Sequence, residues 1–209
     1  MDRDSIMTDR SGVYTLVLTG LMAALVMAAT SFFKIPVPAT NGYVHLGDAF
    51  VFLSVLILGR RNGTIAAAAG SGLADLLGGY AHWVPWTFAI KGLMAFAFGT
   101  LLIFIYSKTT TAASPKTAGL VKAANTAWNA DDAETGKKGS AEILTIIAMT
   151  LSSLIMIGGY FIAHRIIYGT LAAPLAALPG NIAQAAAGVI IAGLAYAALK
   201  KAAPQLLYK

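Results

Sequence analysis

The feature that most constrains the fold is the absence of any charged residue between Arg10 and Lys34. This apolar stretch is as long as the roughly 20 residues that an α-helix needs to cross the hydrocarbon core of a bilayer. Similar stretches recur along the 209-residue chain, which is 57% hydrophobic and only 11% charged. A soluble domain carries about 25% charged residues. The sequence therefore predicts an all-α membrane protein with one membrane domain over 1–209.

Six transmembrane helices are predicted from the apolar stretches and the turn residues between them. They cover 13–33, 48–59, 63–80, the segment from the Trp83–Trp86 turn to Tyr106, 143–163, and the segment from Asn181 to Lys201. Proline and glycine break the connections 34–47 and 169–180. The segment 108–140 is polar, and we expect it to form a cytoplasmic loop.

The basic residues predict the orientation of these helices. With the N and C termini in the cytoplasm, twelve of the fifteen Lys and Arg residues fall in cytoplasmic segments, as the positive-inside rule requires. These twelve are Arg3, Arg10, Arg60, Arg61, Lys108, Lys116, Lys122, Lys137, Lys138, Lys200, Lys201 and Lys209. The net charge of +6 is accordingly explained by topology, and we expect a lipid bilayer and no nucleic acid as the surrounding partner.

Several classes of chemistry lack their sequence motifs. The chain has no cysteine, which excludes disulfides, thiolate metal sites and cysteine nucleophiles. It also has no P-loop, no H-E-x-x-H zinc motif and no G-x-S-x-G nucleophile motif. We therefore expect no catalytic residue, no metal site, no cofactor and no ATP binding by this chain.

Polar and aromatic residues gather on the predicted external side. Such residues suit a pocket that holds a flat, polar small molecule, although tryptophan and tyrosine also form belts at membrane interfaces. The candidate residues are Tyr43, His45, Asp48, Tyr80, His82, Trp83, Trp86 and His164.

Two charged residues lie inside predicted helices. A charge near the bilayer centre costs roughly 2.5–3.5 kcal/mol on insertion scales, so such residues usually have a role. Asp75 and Lys91 are predicted at similar depth below the external surface. They either pair with each other and join two helices, or contact a ligand.

The predicted sixth helix carries a polar face. Asn181, Gln184 and Gly188 follow i, i+3, i+7 spacing and share one side of the helix. Because Pro179-Gly180 precedes Asn181, we expect the helix to start there, with the positive end of its dipole near a ligand. Asn181 is a candidate ligand contact, and a role as the helix cap is compatible with that. Gln184 is predicted to contact the ligand.

Three runs of the sequence form a recognisable pattern: IPVPATNGYVHLGDAFVFLSVLILG, GSGLADLLGGYAHWVPWTFAIKGLMAF and the later LPGNIAQAAAG. They resemble the substrate-binding S components of energy-coupling factor (ECF) vitamin importers. The resemblance covers most of the chain and is greatest to the hydroxymethylpyrimidine or pyridoxine group, with the riboflavin group as a relative. It implies capture of a vitamin from outside and assembly with a transmembrane coupling subunit and two ATPases, which bind the ATP. It also implies that 34–47 and 169–180 act as lids.

A stripe of small residues runs along the first predicted helix at Gly20, Ala24 and Ala28. Such stripes allow helices to approach closely in lipid. The stripe is similar to the AxxxA motif by which S components dock on the coupling subunit, so the resemblance implies a partner-binding role for these three residues.

Other functions remain open from the sequence. The chain could be a riboflavin-type S component, a self-sufficient secondary transporter that uses Asp75 as its proton carrier, or a small intramembrane enzyme or scaffold. A transporter that works alone would move its substrate in liposomes without partners, whereas an S component would bind it without moving it.

Overall fold

A computed structural model describes residues 3–32, 34–37, 42–109, 140–203 and 207. Its long helices are α1 (Arg3–Phe32), α2 (Asp48–Leu77), α3 (Val84–Thr109), α4 (Ser140–Tyr168) and α5 (Ala172–Ala202). Each of these five contains a stretch long and apolar enough to cross a membrane, which confirms the all-α membrane class. Most of the predicted polar loop, 110–139, lies outside the described residues.

The connection between α1 and α2 contains a β-hairpin where the sequence predicted an irregular loop. Strands β1 (Lys34–Val37) and β2 (Gly42–His45) pair antiparallel, with Lys34 opposite His45 and Pro36 opposite Tyr43. Proline is tolerated here because both strands are edge strands, so its missing N–H can face away from the partner strand. One residue separates the end of α1 from β1, and two residues separate the end of β2 from α2.

Helix α2 contains the predicted second helix and all but the last three residues of the predicted third, and it folds back on itself at Gly59. Gly59 has φ 75° and ψ 176°, a backbone conformation that glycine adopts readily. The Ser54 hydroxyl donates a hydrogen bond to the Gly63 carbonyl at 3.0 Å, and a Cβ at position 63 would lie 2.5 Å from the Val55 Cα. Residues eight apart would be about 12 Å apart along a straight helix. The arms 48–58 and 60–77 therefore pack against each other, and both ends of α2 lie on the same side of the molecule.

Helix α5 begins at Ala172, nine residues before the predicted start at Asn181, so that prediction is wrong. Pro174 lies in the first turn, where backbone N–H groups have no partner within the helix and proline is well tolerated. Pro179 lies inside the helix and removes one hydrogen bond, which helices in membranes accommodate. Asn181 is consequently an interior residue and caps nothing. Of the predicted lid 169–180, only 169–171 lies outside the helix.

Large apolar residues lie both inside the bundle and on its outer surface. Phe52 and Tyr196 are completely or almost completely buried, whereas Leu16 and Leu194 expose about 70% of their surface (72% and 69%). An exposed apolar exterior is what a bundle surrounded by lipid requires, since lipid tails are as apolar as leucine. A short 3₁₀ turn at Ala81–Trp83 precedes α3. Helix α3 packs closely against the second arm of α2.

Candidate functional site

Most of the nominated polar and aromatic residues meet at the end where α1 and the second arm of α2 end and α3 begins. They form three neighbouring clusters, each defined below: an ion-pair cluster, a carboxylate cluster and an aromatic cluster. The β-hairpin lies against this end, so its strand β2 contributes side chains to the site.

The ion-pair cluster consists of His45, Asp48, Lys91 and Gln184. The Lys91 ammonium donates a hydrogen bond to Asp48 Oδ1, and both side chains are fully buried. Gln184 Nε2 donates to Asp48 Oδ2 at 3.1 Å, and the backbone N–H of His45 donates to Gln184 Oε1 at 3.1 Å. Four separate elements, β2, α2, α3 and α5, are joined by these contacts.

A glycine allows α5 to reach this cluster. Gly188 lies one turn after Gln184, and a Cβ at position 188 would lie 2.7 Å from the Asp48 Cβ. Gln184 and Gly188 therefore face the same residue, as their predicted shared face requires.

Burial, with a smaller contribution from the positive charge of Lys91, lowers the pKa of His45 to about 3. The imidazole is therefore neutral near pH 7, and its Nδ1 accepts a hydrogen bond from the Gly47 N–H at 2.9 Å.

The carboxylate cluster consists of Lys34, Tyr43, Asp75 and Tyr80. The Tyr43 hydroxyl donates a short hydrogen bond to Asp75 Oδ1, while burial and the negative charge of Asp75 raise the pKa of that phenol. The Tyr43 and Tyr80 rings are 4.8 Å apart, and Lys34 Nζ lies 4.4 Å and 5.5 Å from their centroids. The cluster therefore closes over Asp75 with two aromatic rings and one cation.

One oxygen of Asp75 is left without a partner. Asp75 is 3% exposed, and its Oδ2 has no hydrogen-bond partner within the part of the chain that the structure describes. Thr87 of α3 faces the same carboxylate; its hydroxyl accepts a hydrogen bond from Tyr160 at 3.1 Å and keeps its own proton as a donor, but it does not meet hydrogen-bond geometry with Oδ2. A buried carboxylate oxygen without a partner is costly, so this atom is available for a donor from a bound molecule.

The aromatic cluster consists of Trp83, Tyr160, His164 and Tyr168. The Trp83 ring is buried, and its centroid lies 4.6 Å from His164, 6.0 Å from Tyr160 and 6.5 Å from Tyr168. The Trp83 indole N–H has no hydrogen-bond acceptor among the described residues. Tyr160 also lies 5.4 Å from the Lys91 ammonium, so it borders all three clusters.

Nine of the twelve residues that the sequence nominated lie in these clusters. They are Tyr43, His45, Asp48, Asp75, Tyr80, Trp83, Lys91, His164 and Gln184. His82 is exposed, and its ring centroid lies 5.7 Å from that of Trp83. Trp86 packs against the hydrophobic core, and Asn181 is half-buried inside α5.

The ion pair differs from the one that the sequence suggested. Lys91 pairs with Asp48 instead of Asp75, because the reversal at Gly59 brings the first and last turns of α2 to the same end of the bundle. Asp75 has Tyr43 as its partner instead. No three His, Asp or Glu side chains in the described ranges are grouped so that they could hold a metal ion.

Sequence reasoning missed three members of the clusters, Lys34, Tyr160 and Tyr168, and also Thr87, which faces Asp75. A signal for Tyr160 was present, because it lies four residues before His164 and must therefore share its helix face. The same spacing applied to Tyr168, four residues after His164, and to Thr87, four residues before Lys91. Lys34 contributes through a contact across elements that spacing along one helix does not indicate.

Comparison with known proteins gives a consistent result over most of the chain. Residues 10–127 and 130–201 match the sequence model of the family described as "ECF-type riboflavin transporter, S component". A Pyrococcus woesei protein named "Uncharacterized protein in gap 3'region" is 29% identical over 182 residues, 87% of this chain and 99% of that protein. The "Thiamine precursor transporter HmpT" of Lactococcus lactis subsp. cremoris (strain MG1363) is 24% identical over 185 residues, 88% of this chain and 86% of that protein.

Proposed function

The chain belongs to the family of ECF-type riboflavin transporter S components, which are multi-pass membrane transport proteins and not enzymes, and we propose that it binds hydroxymethylpyrimidine or pyridoxine. In this proposal the vitamin or precursor is captured from outside the cell. The similarity to a protein named as a thiamine precursor transporter favours the pyrimidine.

The observation that carries the proposal is the free carboxylate oxygen of Asp75 beneath aromatic rings. Its buried Oδ2 has no hydrogen-bond partner among the described residues, and Tyr43 and Tyr80 lie beside it. Hydroxymethylpyrimidine and pyridoxine are flat heterocycles with hydroxyl donors. A ring packed against the outer face of one of these aromatic rings, with a hydroxyl donating to Asp75, would satisfy both features.

Energy for transport comes from other subunits in this proposal. ECF S components work with a transmembrane coupling subunit and ATPase subunits, and this chain has no P-loop of its own. We infer that it assembles with one coupling subunit and two ATPases, which bind the ATP, and that it requires no cofactor.

Binding and transport by the purified protein test this function. We expect native mass spectrometry of protein purified without added ligand, followed by calorimetry with hydroxymethylpyrimidine, pyridoxine and riboflavin, to show stoichiometric binding of one of the first two. Liposomes that contain this chain alone should show no uptake. Tight binding of riboflavin alone would favour a riboflavin-type S component, and uptake driven by a pH gradient without partners would favour a proton-coupled carrier that uses Asp75.

We further infer six membrane crossings with cytoplasmic termini. The two arms of α2 run in opposite directions, and the corner between them carries the exposed residues Arg60 and Arg61, which favour the cytoplasmic side. In this cysteine-free chain, Arg61→Cys should react with a membrane-impermeant thiol reagent only after cells are permeabilised. His82→Cys should react in intact cells, and the reverse pattern would overturn the orientation.

Docking on the coupling subunit is expected to use the small-residue stripe of α1. Gly20 and Ala24 are exposed and Ala28 is half-buried, whereas the neighbouring Val26 is fully buried in the bundle. Ala24→Trp should therefore reduce recovery of the coupling subunit in co-purification several-fold and leave vitamin affinity unchanged, because close helix approach requires small side chains. Leu25→Trp, which introduces the same side chain at an exposed position about 100° around the helix from Ala24, is the control. If the Ala24 variant assembles normally with the coupling subunit, the stripe is not part of the docking surface.

A further inference from the structure

The ion-pair cluster is closed to a ligand by its own hydrogen bonds. Lys91 and Gln184 occupy the two carboxylate oxygens of Asp48, and Asp48 and His45 occupy the two polar atoms of the Gln184 side chain. All four residues are 5% exposed or less. A vitamin could contact Gln184 only by breaking one of these buried contacts, which is unfavourable.

The hydrogen bonds of this cluster have a fixed direction. Asp48 is an acceptor on both sides, so the Gln184 amide must turn its NH₂ group toward Asp48 and its oxygen toward the His45 N–H. The charge and the hydrogen-bonding groups of residue 48 therefore decide whether the His45 N–H, at the end of β2, has a hydrogen-bond acceptor on α5.

The β-hairpin depends on such attachments. A two-stranded hairpin is marginally stable on its own, and this one is joined to the bundle through the Gln184 contact with His45 and the Tyr43 contact with Asp75. Only one residue separates Tyr43 from His45 in the same strand. Losing the first attachment therefore weakens the second, which covers Asp75.

We propose that Gln184, oriented by Asp48, is a positioning residue that fixes the β-hairpin over Asp75 and does not itself contact the vitamin. This replaces the ligand contact that the sequence suggested for Gln184. The importance of the hairpin for vitamin binding rests on the proposed function, whereas the anchoring can be measured in the protein without any vitamin.

Hydrogen exchange of the purified full-length chain, without vitamin, tests the anchoring. In Gln184→Met the amides of residues 42–45 should exchange about tenfold faster, the factor expected when one buried hydrogen bond of ordinary strength is lost. Amides within α3 and α4 should change less than about twofold. Ser152→Ala, which removes a buried hydroxyl bonded only within α4, should leave the hairpin unchanged.

A pair of variants that exchanges the amide and the carboxylate tests the direction of the hydrogen bonds. Asp48→Asn places an NH₂ group opposite that of Gln184, so the Gln184 amide must rotate and its oxygen is lost to the His45 N–H. This single variant should accelerate hairpin exchange as Gln184→Met does. In Asp48→Asn combined with Gln184→Glu, the amide oxygen at position 48 can accept from Lys91 and the NH₂ group at position 48 can donate to one carboxylate oxygen at position 184. The other carboxylate oxygen at position 184 can then accept from the His45 N–H. This double variant should restore hairpin exchange to within about threefold of the unsubstituted protein.

The outcomes separate this proposal from the proposed function. Unchanged hairpin exchange in Gln184→Met and Asp48→Asn would overturn the anchoring, as would acceleration in Gln184→Met, which keeps the ion pair, that is equal in the hairpin and in the helices. Failure of the double variant to restore protection would overturn the directional role of Asp48. If the expected exchange pattern is found in a protein that binds none of the three vitamins by calorimetry, the anchoring stands and the proposed function fails.

Discussion

Replacing Lys91 by methionine is expected to lower the free energy of unfolding by about 3–5 kcal/mol, the usual cost of removing one partner of a buried ion pair. Methionine keeps most of the side-chain volume but leaves the Asp48 carboxylate, which is fully buried, without a counter-charge. The loss should appear as a lower melting temperature and a lower denaturant midpoint in detergent, with or without vitamin.

The same substitution at a more exposed ion pair provides a matched control. Lys200 pairs with Glu142 at 3.4 Å, and the two side chains are 16% and 40% exposed. Because solvent screens such a pair, Lys200→Met should cost no more than about 1 kcal/mol. Asp48→Asn combined with Lys91→Met should recover much of the loss, since neither charge is then left unpaired. If Lys91→Met costs no more than Lys200→Met, the buried pair does not stabilise the bundle.

The helices could be predicted from the sequence because charge and hydrophobicity limit them strongly. A charge-free stretch of bilayer length has few alternatives to a helix, and α1, α3 and α4 contain the predicted spans. The start of α5 could not be predicted from Pro179-Gly180. A proline at that position is compatible with either a helix start or a tolerated break, and only packing against other helices decides between them.

The members of the site were more predictable than their partners. Polar and aromatic side chains at the ends of apolar helices are few, so Asp75, Trp83 and Gln184 stood out in the sequence. Which carboxylate would meet Lys91 depended on the reversal at Gly59, which brings Asp48 to the same end of the bundle as Asp75. The similar predicted depth of Asp75 and Lys91 suggested a mutual pair as one of two alternatives, and that pair is not the one that forms.

Asp75→Asn is expected to weaken vitamin binding by about 10- to 100-fold while it changes the stability of the empty protein little. The amide oxygen of asparagine can still accept the hydrogen bond from Tyr43, so the contact that exists without ligand is retained. The other position changes from a charged carboxylate oxygen to an NH₂ group, which cannot accept the hydroxyl proton of the vitamin, so the hydrogen bond to a charged acceptor is lost. Hydrogen bonds to a charged group contribute about 1.5–3 kcal/mol, which corresponds to the expected loss of affinity.

Calorimetric affinity and melting temperature, measured with and without vitamin, distinguish this role from a structural one. Glu142→Gln makes the same chemical change at the pair with Lys200, so it should alter neither affinity nor the shift in melting temperature on vitamin binding. If Asp75→Asn destabilises the empty protein as much as Lys91→Met does, Asp75 stabilises the fold and its free oxygen does not define the binding site. If affinity is unchanged, the vitamin binds elsewhere. A selective loss of affinity, with the empty protein intact, is the result expected of a carboxylate whose second oxygen acquires its partner only when the vitamin binds.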